Sequence, residues 1–253
     1  MNTRFSFKRS EIDLSSLELL ASEFPNSDAA VAEIARLSAV LTLPRGAIHM
    51  ISDIHGEDKK LRHVINNASG TLRPLVEKMF LNKMSPEDLE EFLKINFYPA
   101  ELTNQIEKRI LDPETLKVYA MKILKPQFEL LRFLMSNYSL KLATELLPKD
   151  YHNLLLEILH APTRDHENTF VGAIIDGLQK QGKLLHLIHI TGRLIRNLTV
   201  DELIIGGDCW DRGPRGDKVV DYLRLQPNVS FIWGNHDVIW LGAALGCETL
   251  ICT

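Results

Sequence analysis

Apolar and polar positions alternate along this chain in four distinct rhythms. Residues 1–45 carry apolar side chains at helical spacing, first in LSSLELLASEF and again in DAAVAEIARLSAVL. Pro44 and Gly46 then break the pattern. Residues 46–57, GAIHMISDIHGE, read as a short buried strand and a loop. Strand alternation puts Ile48 and Met50 on one face and His49 and Ile51, followed by Asp53 and His55, toward the other. Residues 58–199 are mostly helical, with marked starts. Ser85 precedes Pro86 at a first helical position, with Asp88 three residues after the cap, and Asp112-Pro113-Glu114 repeats the device. KVYAMKILKPQFELLRFLM is helical with a bend or break expected at Pro126. ENTFVGAIIDGLQKQGKLLHLIHITGRLIRNL reads as one or two amphipathic helices with an interruption at Gly182.

Residues 200–253 change rhythm: ELII as a strand, GDKVVDYLRLQ as a helix, NVSFIW as a strand, then a helical VIWLGAALG. Strand, helix and strand of this size predict a parallel βαβ unit in an α/β protein. Ligands in such sheets gather beyond the carboxyl ends of strands. Three polar clusters fall there: SDIHGE, GGDCWDRG and GNHD, one after each predicted strand.

Composition narrows the picture. The 253 residues are 45% hydrophobic and 25% charged, with net charge -4. That balance excludes a broad basic field for nucleic acid, so an anionic substrate must be held by local groups. Cys209, Cys247 and Cys252 lack metal spacing and fit reduced thiols in a reducing compartment. The start, MNTRFSFKRSEIDL, has no signal-like apolar core. The longest clean apolar run, near VIWLGAAL, is far short of the ~20 residues of a membrane span. The expectation is a cytoplasmic protein with no membrane or nucleic-acid partner; association with further copies of the chain is left open.

The stretch VDELIIGGDCWDRGPRGD places Asp208, Asp211, Arg212, Arg215 and Asp217 where a buried strand ends. Charge there is costly unless paired or metal-bound. Asp53-x-His55 alone is a common accident, and Asn235 of GNHD has an ordinary reading as a helix cap. Taken together, the three clusters fit a two-metal hydrolase site. Asp53 and His55 hold one ion, Asn235 offers its amide oxygen to a second, and Asp208 bridges the two. Such a pair supplies a water of lowered pKa for attack on phosphorus. His236 is then the proton donor to the leaving oxygen and Asp211 its orienting carboxylate. Arg212 offers a planar fork for phosphoryl oxygens. Arg215 either extends that grip or is a solvated surface arginine.

Other candidates have plainer readings. His186-x-x-His189 has the spacing of a metal pair on a helix, but helix packing is the plainer reading, because no HExxH pattern surrounds it. His49 is a buried strand histidine or a support for the site. Trp210 is a candidate for lining the substrate cleft, and Trp233 and Trp240 are assigned to the core. PTRDHEN, Pro162 to Asn168, is a polar loop without chemistry, and the basic residues of the helical stretch are a solvated face.

The motifs Asp53-Ile54-His55, Gly207-Asp208-Cys209-Trp210-Asp211-Arg212-Gly213 and Gly234-Asn235-His236-Asp237 resemble those of the calcineurin-like metallophosphoesterase superfamily. Within it the chain is most similar to the class III fructose-1,6-bisphosphatases described from Firmicutes. LTLPRGAIHMISDIHGE, LRHVINNASG, GGDCWDRGPRGDKVVDYL, FIWGNHDVIWLGAALG and the long helical insertion carry that likeness. It implies a β-sandwich flanked by helices, with 1–57 and 200–253 as the metallophosphoesterase core and 58–199 as the insertion. It also implies hydrolysis of the 1-phosphate of fructose 1,6-bisphosphate in gluconeogenesis. Manganese is the implied metal, with magnesium, iron and zinc as alternatives. A protein Ser/Thr phosphatase shares the motifs and is the rival activity. The superfamily adds metal-binding histidines downstream of GNH, whereas His236 is the last histidine here. The resemblance therefore reads the chain as an amino-terminal portion, with an inactive fragment as a further alternative.

Overall fold

The structure, a computed structural model, describes residues 14–44, 46–110, 112–160 and 167–252. The chain divides into two compact units, Met1–Pro44 and Arg45–Thr253. In the first, helices form where the apolar spacing predicts them: α1 (Leu14–Glu23) and α2 (Ser27–Val40). Asn26 caps α2, its side-chain oxygen accepting the N–H of Ala29 at 2.9 Å. No residue of α2 is buried, and Val31, Ile34 and Leu37 stand exposed.

The second unit opens with β1 (Ala47–Ile51). A run of helices follows: α3 (Asp58–Asn66), α4 (Leu72–Phe80), α5 (Pro86–Phe97), α6 (Pro99–Arg109), α7 (Pro113–Met135), α8 (Leu140–Glu145), α9 (His152–His160), α10 (Glu167–Lys180) and α11 (Leu184–Thr199). Then come β2 (Val200–Ile205), α12 (Gly216–Leu223), β3 (Val229–Phe231), α13 (Asn235–Ala244) and α14 (Glu248–Ile251). Both expected caps form: Ser85 Oγ accepts from Asp88 N–H at 3.1 Å and Asp112 from Thr115 N–H at 2.8 Å. Each such cap is worth about 0.5–2 kcal/mol against alanine.

α11 packs against α5, α6 and α7. Phe80, Phe92, Phe128, Leu131 and Ile195 lie in the resulting core. Of the bend or break expected at Pro126, the break does not occur, because α7 runs through it. Proline inside a helix costs ~3 kcal/mol or more. Around it Ile123, Leu124 and Phe128 are fully buried, each worth about 1.5–3 kcal/mol. Gln127 adds hydrogen bonds from Nε2 to Asn96 Oδ1 at 3.0 Å and to the Ile188 carbonyl at 3.3 Å. Tertiary packing therefore outweighs the local penalty. The interruption near Gly182 is present: α10 ends at Lys180, α11 begins at Leu184, and Gly182 has φ +63°.

The three strands form one parallel sheet in the order β1-β2-β3, with Ile51 opposite Ile205 and Ile205 opposite Phe231. β2, α12 and β3 make the predicted βαβ unit. A second core gathers on one sheet face from Ile51, Leu203 and Ile205, Leu61 of α3, and Val219 and Tyr222 of α12. The opposite face holds Ile48, Met50 and Ile204. Met50 is 70% exposed. β1 is thus covered on one face, where the sequence reading has it buried. Trp233 and Trp240, assigned to the core from sequence, are 63% and 56% exposed. Trp233 follows the carboxyl end of β3, and Trp240 lies in α13. The initial residues 1–13 and most of PTRDHEN lie outside the described residues.

Candidate active site

Parallel pairing brings three strand ends side by side, so the loops that follow them meet. Ile51 O accepts from Gly206 N–H and Ile205 O from Ile232 N–H, both at 2.8 Å. Beyond the strands the loops bond to each other: His55 N–H to Asp208 O at 2.8 Å and Gly56 N–H to Cys209 O at 2.9 Å. Approach this close needs glycine. A Cβ on Gly207 would lie 2.1 Å from Gly234 N, and one on Gly213 would lie 1.8 Å from His55 O.

Asp53, His55 and Asp208 each place one ligand atom within 4.8 Å of the others. All three residues have left-handed backbones, at φ 55°, 45° and 53°. Such a conformation costs ~1–3 kcal/mol per non-glycine residue and persists where the surroundings impose it, typically at functional sites. Two carboxylates and an imidazole suit a borderline divalent cation. His55 fits the task further. Its Nδ1 lies 2.8 Å from Asp211 Oδ1. A carboxylate accepts, so the proton belongs on Nδ1 and leaves Nε2, 3.8 Å from Asp53 Oδ1, as a lone-pair donor.

Asp211, 4% exposed, is also the neighbour of His236, whose Nδ1 lies 3.0 Å from Oδ2. That separation is an ion-pair distance, but the alignment is off a hydrogen bond, so Oδ2 has no hydrogen-bond partner in this state. Arg212, also left-handed at φ 62°, puts Nη2 2.8 Å from His236 Nε2. Because guanidinium only donates, His236 accepts there. The rings of His55 and His236 meet edge-on at 5.7 Å.

Asn235 is the first residue of α13 and is exposed. Gly234, not Asn235, is the cap residue of that helix. The next residue, His236, donates its backbone N–H to Asp208 Oδ1 at 3.1 Å. Arg215 is exposed and bonded to Asp217 at 3.3 Å. The sequence reading did not assign a role to Asp237, yet this carboxylate stitches the loops together. Its Oδ2 accepts from Asp208 N–H at 2.8 Å and Gly234 N–H at 3.0 Å, and its Oδ1 from Cys209 N–H at 3.2 Å. An acid at the third position of a helix after a glycine is the available signal. Burial, with the charges of Asp237, Asp208 and Asp211, pushes the Cys209 thiol up to about 12. It is packing, not a nucleophile.

A cavity of about 260 Å³ opens beside the loops, lined by Trp210, Phe231, Trp233 and Leu241 among others. A larger one of about 650 Å³ lies among α5, α6 and α7 and holds none of the site side chains. His186 and His189 sit in α11 at 6.3 Å between rings, with Tyr151 against His186. Burial lowers the pKa of His189, aided by Arg193, and burial lowers that of His49.

A parallel α/β sheet carries, at its carboxyl end, a strained Asp–His–Asp group that could hold a metal ion. The chain belongs to the Firmicute fructose-1,6-bisphosphatase family, whose model matches residues 15–253. It is 33% identical over 248 residues to the class 3 fructose-1,6-bisphosphatase of Clostridium novyi (strain NT), covering 95% of this chain and 36% of that protein. The class 3 enzyme of Staphylococcus epidermidis is 30% identical over 96% of this chain and 37% of its own length. That of Parabacteroides distasonis is 34% identical over 92% and 35%. The chain thus spans about a third of the length of these relatives. No solved structure matches it significantly.

Proposed function

We propose that this chain carries the catalytic loops of a metal-dependent phosphomonoesterase that removes the 1-phosphate of fructose 1,6-bisphosphate, a gluconeogenic reaction, in the cytoplasm. The convergence of Asp53, His55 and Asp208 within 4.8 Å is the observation that supports this most. Family membership and the printed names of the relatives supply the substrate. In this reading the fold is that of a calcineurin-like metallophosphoesterase, and the sheet is one layer of its β-sandwich. Asp53, His55, Asp208 and Asn235 would hold the divalent ions, with manganese as the expected metal. When bound, such ions supply Lewis acidity and a water of lowered pKa.

The protein groups do the rest. Arg212 leaves His236 Nε2 to bond the phosphoryl oxygens, with Arg215 as a second candidate contact. His236 Nε2 then carries the proton given to the leaving sugar oxygen. Asp211 faces Nδ1 and stabilises the imidazolium that serves as donor. No helix among the described residues is long and apolar enough to cross a membrane.

Phosphate release in manganese, with fructose 1,6-bisphosphate set against a phosphopeptide, tests the reading. Preference for the sugar, abolished by chelation, is expected. Preference for the phosphopeptide favours the protein Ser/Thr phosphatase alternative. Metal binding without turnover on either substrate reduces the chain to a metal-binding portion. A folded chain that binds no metal overturns the hydrolase reading altogether.

A further inference from the structure

α5 and α6 meet at Tyr98, and with α7 they border the cavity of about 650 Å³ that the candidate active site does not use. Small-molecule sites fall in the range of about 300–1,000 Å³. The spacing along each helix explains how the walls form. Glu87, Glu90 and Lys94 of α5, and Leu102, Ile106 and Arg109 of α6, recur at three and four residues, so each set shares one helix face. The floor is apolar. Ile95 is 1% exposed, and Leu102, Ile106 and Tyr119 lie half-buried against the same core.

The rim is charged, and its charges do not balance within the protein. Glu90 accepts from Arg73 Nη2 at 3.1 Å, and Glu91 accepts from Lys122 Nζ at 2.8 Å. Both acids are therefore already answered. Glu87, Lys94 and Arg109 are exposed and form no ion pair among the described residues. Two free cations against one free acid leave the cavity with one positive charge in excess. Tyr119 adds an uncharged ring: burial and the Glu91 carboxylate hold its pKa above the ordinary value, so the phenol stays protonated. Arg109 is felt at that ring, which puts a cation near the apolar floor.

We propose that this cavity binds a flat apolar carboxylic acid, with its ring over Ile95, Leu102, Ile106 and Tyr119 and its carboxylate held by Lys94 and Arg109. The apolar body displaces water from a floor that offers it few partners. A guanidinium fork suits a carboxylate, and an ammonium adds a point charge beside it. A monoanion matches the single excess positive charge. A phosphate monoester, at about -1.5 to -2 near neutral pH, exceeds it. An amine of the same shape meets two cations and is repelled. Asp53, His55, Asp208 and His236 do not line this cavity, so its ligand is distinct from a phosphate ester taken at the loops.

The test is calorimetric titration of the full chain, with chelator present so that no metal-held anion contributes. The probes share one ring: 2-naphthoate, neutral 2-naphthamide, 2-naphthylmethylammonium and 2-naphthyl phosphate. Naphthoate is expected to bind tightest, about tenfold more tightly than the amide. Lys94→Ala and Arg109→Ala, both exposed changes, each weaken naphthoate about fivefold and leave the amide unaltered. Trp233→Ala, at the exposed aromatics after β3, changes neither affinity. Loss of binding in Trp233→Ala with retention in Arg109→Ala overturns the proposal. Tighter binding of the phosphate or the amine overturns the carboxylate assignment. Absence of naphthoate binding to the unaltered chain overturns the site itself; if Ile106→Asp then also alters the oligomeric state, a second copy of the chain occupies the cavity instead.

Discussion

The Asp211 carboxylate holds His55 Nδ1 at 2.8 Å, joining residues 156 positions apart in the chain. Its other oxygen faces His236 Nδ1 at 3.0 Å. One buried acid therefore serves both a candidate metal ligand and a candidate proton donor. Asp211→Ala is expected to weaken manganese binding by about 10–100-fold, as removal of a ligand's outer partner does. Turnover falls with it. An Asp211 that served His236 alone would leave metal affinity intact, and calorimetry with manganese distinguishes the two.

Asp208 and His236 separate metal binding from proton transfer. Asp208→Ala removes a carboxylate proposed to bind metal, and manganese binding is expected to be lost. His236→Ala removes no assigned ligand, so metal is retained while turnover falls about 10²–10⁴-fold, the usual worth of a general acid. Metal content by mass spectrometry beside phosphate release reads both. Loss of metal in His236→Ala contradicts the donor assignment.

Asp237, 6% exposed, satisfies three backbone N–H groups on two loops. Replacing it with alanine orphans Asp208, Cys209 and Gly234 at once. Each buried donor left unmade costs about 1–3 kcal/mol. Asp237→Ala is expected to lose at least ~3 kcal/mol of stability by denaturant titration, and to weaken metal binding because the Asp208 loop loosens. Asp237→Asn keeps one acceptor oxygen and is expected to fall between. A stability change under about 1 kcal/mol counts against the stitching role.

Much of this was legible from local pattern. The caps at Ser85 and Asp112, the break at Gly182, the βαβ unit and the three polar loops at strand ends follow from rules acting over a few residues. What failed depended on distant contacts. Pro126 stays helical because Asn96 and Ile188 bond the neighbouring Gln127 across the helical core. Trp233 and Trp240 look like core in any hydropathy reading, and only the packing around β3 and α13 reveals them exposed. In the site, the residue types were readable, but the wiring was not. Nothing in the spacing says that Asp211 reaches back to His55, that Arg212 rests on His236, or that Asp237 bonds the preceding loop. Left-handed backbones at Asp53, His55, Asp208 and Arg212 were equally hidden, since the sequence there offers no glycine.

The thiols provide a check that needs no substrate. Cys209 is buried, and its neighbours hold its pKa up to about 12 from an ordinary value of 9.0. Cys247 and Cys252 are exposed. Iodoacetamide at pH 8 is expected to label Cys247 and Cys252 in the folded chain and to reach Cys209 only after denaturation, as read by peptide mass spectrometry. The same difference sets a pH dependence. Unfolded chains release the Cys209 proton near 9, while the folded chain keeps it to about 12. The unfolded state therefore gains from rising pH first, and this contribution to stability, complete below 9, declines between those values. Cys209→Ala removes the thiol and with it this part of the alkaline slope. Rapid labelling of native Cys209 contradicts the packed arrangement of the Asp208 loop against Asp237.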